Sequence, residues 1–307
     1  MIRSLAKRLP HPALCRLYHY KRLREESTRA ARVAAKLKLP LLETLDLRKL
    51  MTSDTLFILG SAWSINDIPE GRWRVIQRHD SVGINFWPVH PFVPKIFHFE
   101  DISYEQQPEM HDAFLKLIER RAEDYADTVK IVTEVSATNE RHTLVELPDA
   151  MKANLYVGFS MPVIARSEEE FRKGIEFMRS IEAFVPSGTR WVFKYGGSVI
   201  AMMTLAVRMG YRRIVLCGVD LNRQEYFYQH RERYPEYAGW EFVPREHRHL
   251  TTRRLPWLVP SQKAVWTFKD LVLEPKGVEL FVESTASTLY PKVPLASQAL
   301  FDELGSA

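Results

Sequence analysis

Between Lys194 and Asn222 the chain reads KYGGSVIAMMTLAVRMGYRRIVLCGVDLN, with apolar Val199, Met202, Met203, Leu205, Ala206 and Met209 recurring every three or four residues. That spacing predicts a helix with one buried face, ended by Gly210. The run Ile214 to Gly218, led in by Arg212 and Arg213, is continuously apolar, as in a strand covered on both faces, and Asp220 follows at its end. Loop, helix, turn and strand in this order gather polar residues where open α/β sheets bind ligands. Free backbone N–H groups and the helix dipole attract phosphate at such an edge.

The rest of the chain repeats the alternation. Pro10, Pro12 and Pro40 bracket a helix from about Leu14 to Leu37. TLFILG is a strand ending on Gly60, and Ser61 and Ser64 follow it as a candidate phosphate loop. A short helix over Arg72 to Arg78 leads to the strand HDSVGINF, which places Asn85 just before an aromatic, proline-stiffened loop. KIFHFED alternates, with Ile96, His98 and Glu100 on one side and Phe97 and Phe99 on the other. Gly60, Asn85 and Glu100 therefore share one kind of position, the C-terminal end of a strand. A helix is expected over 106–127, then the strand VKIVTEV. From 136 to 188 the pattern is irregular, apart from a charged helix capped by Ser167. Segment 223–260 is rich in Tyr, Arg, His and Pro and reads as a functional loop or lid. The helix SQKAVWTFKDLVL, a turn at 275–277, the strand VELFVES and a polar terminal loop complete the chain. The expectation is an α/β fold: a single Rossmann-like domain with a mainly parallel sheet over 54–307, preceded by a basic helical extension over 1–53.

Composition narrows the classes. A 307-residue chain with 46% hydrophobic and 26% charged residues suits one large globular domain. No run of apolar residues is long enough to span a bilayer, and the start lacks the pattern of a secretory signal. Cys15 and Cys217 read as free thiols, which favours the cytoplasm. The net charge of +5 is concentrated at the start, where residues 1–38 hold eleven Lys or Arg against two Glu. Such a leader suits peripheral contact with an anionic membrane or a solvated helix packed on the domain. No nucleic-acid module signature accompanies it, and no nucleic-acid partner is expected.

Candidate chemistry is sparse. His247 and His249 stand two apart in EHRHL without the further ligands of a zinc site, and no Asp-x-Asp pair is present. No metal and no organic cofactor are expected. The Walker loop, the G-x-G-x-x-G fingerprint and the G-x-S-x-G elbow are all missing. A histidine in a polar loop remains, either as a general base near neutral pH or as a plain surface residue.

The pair ILGSAWSIND and YGGSVIAMMTLAVRMGYRRIVLCGVDLN resembles the bacterial sialyltransferases of the Campylobacter type and their relatives in surface-polysaccharide clusters. It is also similar to the motility-accessory and pterin-pyrophosphokinase-like superfamily. The resemblance covers about 54–100 and 190–295. It implies a first nucleotide loop at Gly60 to Ser64, where Ala62 and Trp63 depart from the family's Gly-x-Gly-Pro-Ser. It implies further nucleotide contacts at Asn85, at Glu100 in place of a family asparagine, at Lys194, Gly196, Gly197 and Ser198, and at Asp220. Asn222 stands where the family has a tyrosine that supports the leaving phosphate, with Tyr226 or Tyr228 as the second. The implied catalytic base is His249, or else His247. Taken together, the resemblance implies an inverting, metal-independent glycosyltransferase that moves an acidic sugar from a CMP-linked donor to a glycan or glycolipid acceptor. A nucleotide-dependent pyrophosphokinase-like enzyme and a non-catalytic nucleotide-sugar-binding protein are the alternatives.

Overall fold

The structure, a computed structural model, describes residues 11–136, 140–186, 190–222, 225–240 and 258–306. Its centre is a seven-stranded sheet. In chain order the strands are β1 (Thr55–Leu59), β2 (Asp80–Ile84), β3 (Ile96–Glu100), β4 (Val129–Thr133) and β5 (Leu155–Val157). A separate pair follows, β6 (Phe159–Met161) and β7 (Trp191–Phe193), before β8 (Arg213–Cys217) and β9 (Glu279–Val282) return to the large sheet. The order across that sheet is β5-β4-β3-β2-β1-β8-β9, and every pairing is parallel. Every residue of β1 and β2 is buried, as a parallel sheet flanked by helices requires. The fold is α/β and Rossmann-like.

The longer helices are α1 (His11–Leu37), α2 (Glu70–Ile76), α3 (Pro108–Arg121), α4 (Glu168–Ser180), α5 (Ser198–Met209), α6 (Ser261–Phe268) and α7 (Gln298–Ser306). Ser167 caps α4 by accepting from the Glu170 N–H, and three glutamates fill its first turn, at the positive end of the dipole. No helix among the described residues is long and apolar enough to cross a membrane.

Four expectations need correction. The irregular stretch contains β5 and β6, and β7 follows just after it, each of only three residues, too short for a period-two pattern to register. The terminal loop leads into α7. The helix expected over 106–127 ends at Arg121 and gives way to a single 3-10 turn at Glu123–Tyr125. Finally, α5 is buried from Ile200 to Met209 on every side, because the β6–β7 pair covers the face that the sheet does not. Even Arg208 is enclosed: its Nε donates to the Ala183 carbonyl at 2.8 Å, and its guanidinium lies 4.9 Å from the centre of the Trp191 ring. Burial lowers its pKa to about 10.

The N-terminal helix shares this core. Ala30, Val33 and Ala34 of α1 are buried, as are Leu42 and Leu47 of the segment after it, and Leu41 bridges to Val157 at the sheet edge. Cys217 is a free, fully buried thiol whose pKa burial pushes well up.

Asp80 ties the N-terminal ends of the strands together. Completely buried, its carboxylate accepts from the Thr52 N–H (2.8 Å) and hydroxyl (2.6 Å), the Tyr211 hydroxyl (2.9 Å) and the Lys95 ammonium (2.7 Å). Burial acts to raise its pKa, but Lys95, Thr52 and Tyr211 outweigh that and hold it below the ordinary 3.8. A lowered folded-state pKa contributes stability that is present above the unfolded value and lost as pH falls through the folded one. Asp80→Asn is therefore expected to cost about 3 kcal/mol near neutral pH. The gap to the wild type should close below about pH 4, as read by thermal unfolding at several pH values.

Candidate functional site

The chain steps outward from β1 to β5 and then returns to place β8 on the other side of β1. Ligands bind at such switch points in open α/β sheets, because the loops on either side diverge and leave a crevice. Here the crevice opens between two glycine turns. The Gly60 N–H donates to Cys217 O at 2.8 Å and the Ala62 N–H to Gly218 O at 3.0 Å. A Cβ on Gly60 would lie 2.4 Å from the Gly218 carbonyl oxygen. Gly218 has φ +64°, and a Cβ there would meet the Ile65 side chain at 2.5 Å. Only glycine fits either position. Ser64 donates from its hydroxyl to Asp220 Oδ1 (2.5 Å) and from its N–H to Oδ2 (3.2 Å), which locks the two turns together.

A cavity of about 880 Å³ spreads from this crevice. Its floor is formed by residues at the strand ends, namely Gly60 and Ser61 after β1, Asn85 after β2, Glu100 and Asp101 at β3, Glu134 after β4 and Gly218 to Leu221 after β8. Asn85 (φ +53°) and Glu134 (φ +55°) adopt left-handed backbone, which redirects the chain out of the sheet and costs conformational energy. One wall is the N-terminus of α5, with Gly196, Gly197, Ser198 and Val199. A second is the start of α3, with Gln106, Gln107, Met110 and Phe114. Tyr226 and Tyr228, stacked with ring centres 5.1 Å apart, form a third.

The charged groups in the floor are interlocked. Lys194 Nζ lies 2.9 Å from Glu100 Oε2 and 3.2 Å from Glu134 Oε1, while the Ser198 hydroxyl donates to Glu100 Oε1 at 2.5 Å. The Glu100 N–H donates to Asn85 Oδ1 at 3.3 Å. Burial acts to raise the Glu100 pKa, but Lys194 and Ser198 hold it below the usual glutamate value. Burial likewise acts to lower Lys194, yet its two carboxylate neighbours leave it raised. Behind them His98 is fully buried and bonded to Thr133 Oγ1 at 3.0 Å; burial lowers its pKa to about 4, so the ring is neutral. Asp101 accepts from Thr143 Oγ1, Leu144 N–H and Ser136 N–H, each at 2.9 Å, and lies 2.6 Å from His142 Nδ1. This group holds the loop that closes the far side. The full lining carries six carboxylates against Lys194 and Arg29.

Gly60, Ser61, Asn85, Glu100, Lys194, Gly196, Gly197, Ser198, Asp220, Tyr226 and Tyr228, all expected near a ligand, line this one cavity. Two others do not. Ser64 is buried beneath it as the partner of Asp220, and Asn222 turns away to donate to the Ala286 carbonyl at 2.5 Å. Ser64 therefore braces the site, and the sequence position of Asn222 does not bring it to the lining. His247 and His249 lie outside the described residues. Glu134 went unnoticed in the sequence, although it follows β4 as Asn85 follows β2. Arg29 carried no signal at all, since it arrives from α1. No protein-family model matches the chain, and no curated protein matches it.

The Lys194→Met variant leaves Glu100 beside a neutral imidazole without its cation, so the carboxyl pKa rises above its unfolded value. A raised carboxyl pKa makes the protonated form the stable folded one, and stability is lost as pH climbs above the unfolded value. The melting temperature of this variant should fall progressively further below that of the wild type between about pH 4 and pH 7. A constant offset across that range would show that Glu100 does not depend on Lys194.

Proposed function

We propose that this protein is a glycosyltransferase that takes a sugar from a nucleoside-monophosphate-linked donor, of which a CMP-linked acidic sugar is the best fit, and passes it to a surface-glycan acceptor. The observation that carries the reading is the convergence, at the β1–β8 crevice, of the glycine turn, the N-terminus of α5 and two stacked phenols. A helix N-terminus with free N–H groups suits a single phosphate. Burial raises the Tyr226 pKa to about 12 and that of Tyr228 well above the ordinary 10, so both phenols remain protonated donors at neutral pH. The Tyr228 side chain is nearly fully buried, and its hydroxyl has no hydrogen-bond partner among the described residues. A donor of this kind stabilises the charge that builds on a departing phosphate without a metal.

In this reading Lys194 and Arg29 face the donor's anionic groups, and the acceptor hydroxyl attacks from the side opposite the phosphate. The sugar carbon–oxygen bond to CMP breaks as the new glycosidic bond forms, the acceptor proton passes to His249 or His247, and the configuration inverts. The cytoplasm, where activated sugars are made, is the proposed location. A second reading, a pyrophosphokinase-like enzyme that binds a triphosphate with a divalent cation, draws support from the carboxylate excess of the lining.

Calorimetry with CMP, CDP and ATP, with and without magnesium, separates the two. The glycosyltransferase predicts tightest binding for CMP with no magnesium requirement; magnesium-dependent ATP binding with CMP ignored would overturn it. Tyr228→Phe is expected to lower donor turnover about a hundredfold with CMP affinity nearly unchanged, measured by release of nucleotide.

A further inference from the structure

Helix α1 has two faces. Its inner face carries His19, Glu26, Ala30, Val33 and Ala34, all buried against α4 and the β6–β7 pair. The outer face carries Arg16, Leu17, Tyr20, Lys21, Arg24 and Arg32, all exposed. At about 100° per residue these six fall within one half of the helix circumference. Among the described residues only four large apolar side chains are exposed, and two of them, Leu17 (51%) and Tyr20 (67%), sit here, one turn apart. Arg16, Arg24 and Arg32 have no ion-pair partner among the described residues, and the sole acidic residue exposed on the helix is Glu25, 3.8 Å from Lys21.

We infer that this face of α1 docks onto an anionic lipid bilayer. Cations with a phenol and a leucine among them match a headgroup layer, where phosphates take the charges and the two apolar side chains enter the boundary with the acyl chains. Duplex nucleic acid offers the same negative charge but no place for an exposed leucine and tyrosine side by side. The inner face explains why docking would matter to the rest of the molecule. Arg29, on the same helix nine residues and about 14 Å beyond Tyr20, lines the central cavity. The helix that would dock therefore also supplies a residue of the cavity lining, from the side turned away from Tyr20. The face needs no assumption about what that cavity holds.

The test is co-sedimentation of the full chain, without nucleotide, with phosphatidylcholine vesicles and with vesicles of phosphatidylcholine and phosphatidylglycerol. Partition should favour the anionic vesicles and weaken as salt is raised. Replacing Arg16, Lys21 and Arg24 by Glu should reduce it at least tenfold. The Leu17→Ser, Tyr20→Ser variant, which keeps every cation, should reduce it severalfold and leave the salt dependence in place. All five positions are exposed, and unchanged melting curves would show that both variants fold. Equal partition to neutral and anionic vesicles, indifference to the charge reversals, or displacement of the protein from vesicles by excess duplex DNA would each overturn the inference.

Discussion

The site depends on two backbones touching. At the centre of the sheet the chain leaves β1 and β8 through turns in which Gly60 and Gly218 face each other with no side chain between them. Because the turns bond directly, through Gly60 N–H to Cys217 and Ala62 N–H to Gly218, the strand ends are held in register where the crevice opens. Ser64 and Asp220 then fasten the outer parts of the same turns. Any side chain at the contact would push the strands apart or fill the crevice, so the cavity and the sheet rest on the same constraint.

Electrostatics add a second layer. The lining is rich in carboxylates, yet most of them are already engaged: Glu100 and Glu134 share Lys194, Asp101 is wrapped by Thr143, Leu144, Ser136 and His142, and Asp220 holds Ser64. These bonds stiffen four strand ends and orient the N-terminus of α5, since Ser198 and Glu100 are partners. A ligand entering the cavity meets a preorganised polar surface whose orienting energy is already spent in folding. The cost falls on elements such as Asn85 and Glu134, whose left-handed backbone is maintained by these contacts.

Helix α1 links the two halves of the molecule that sequence reading treats as separate. Its inner face stabilises the β6–β7 pair, which in turn buries the outer side of α5, and α5 supplies one wall of the cavity. A basic leader is thus structurally continuous with the site through three layers of packing.

Long, strongly periodic elements were legible in the sequence: β1 from TLFIL, β8 from RIVLC, α5 from its three-and-four spacing, and the rule that polar residues at strand ends gather on one side. That rule works because parallel strands all point their C-terminal ends the same way, so Gly60, Asn85, Glu100 and Asp220 meet without any one of them specifying it. Three-residue strands have no readable period, and β5, β6 and β7 stayed hidden. Whether Ser64 faces the cavity or Asp220, and that Arg29 arrives from more than a hundred residues away to stand near Glu134, are outcomes of packing between segments distant in the chain. Local sequence carries periodicity and backbone preference; which side chains become partners is decided only when the layers close on one another and each buried charge must find a counterpart.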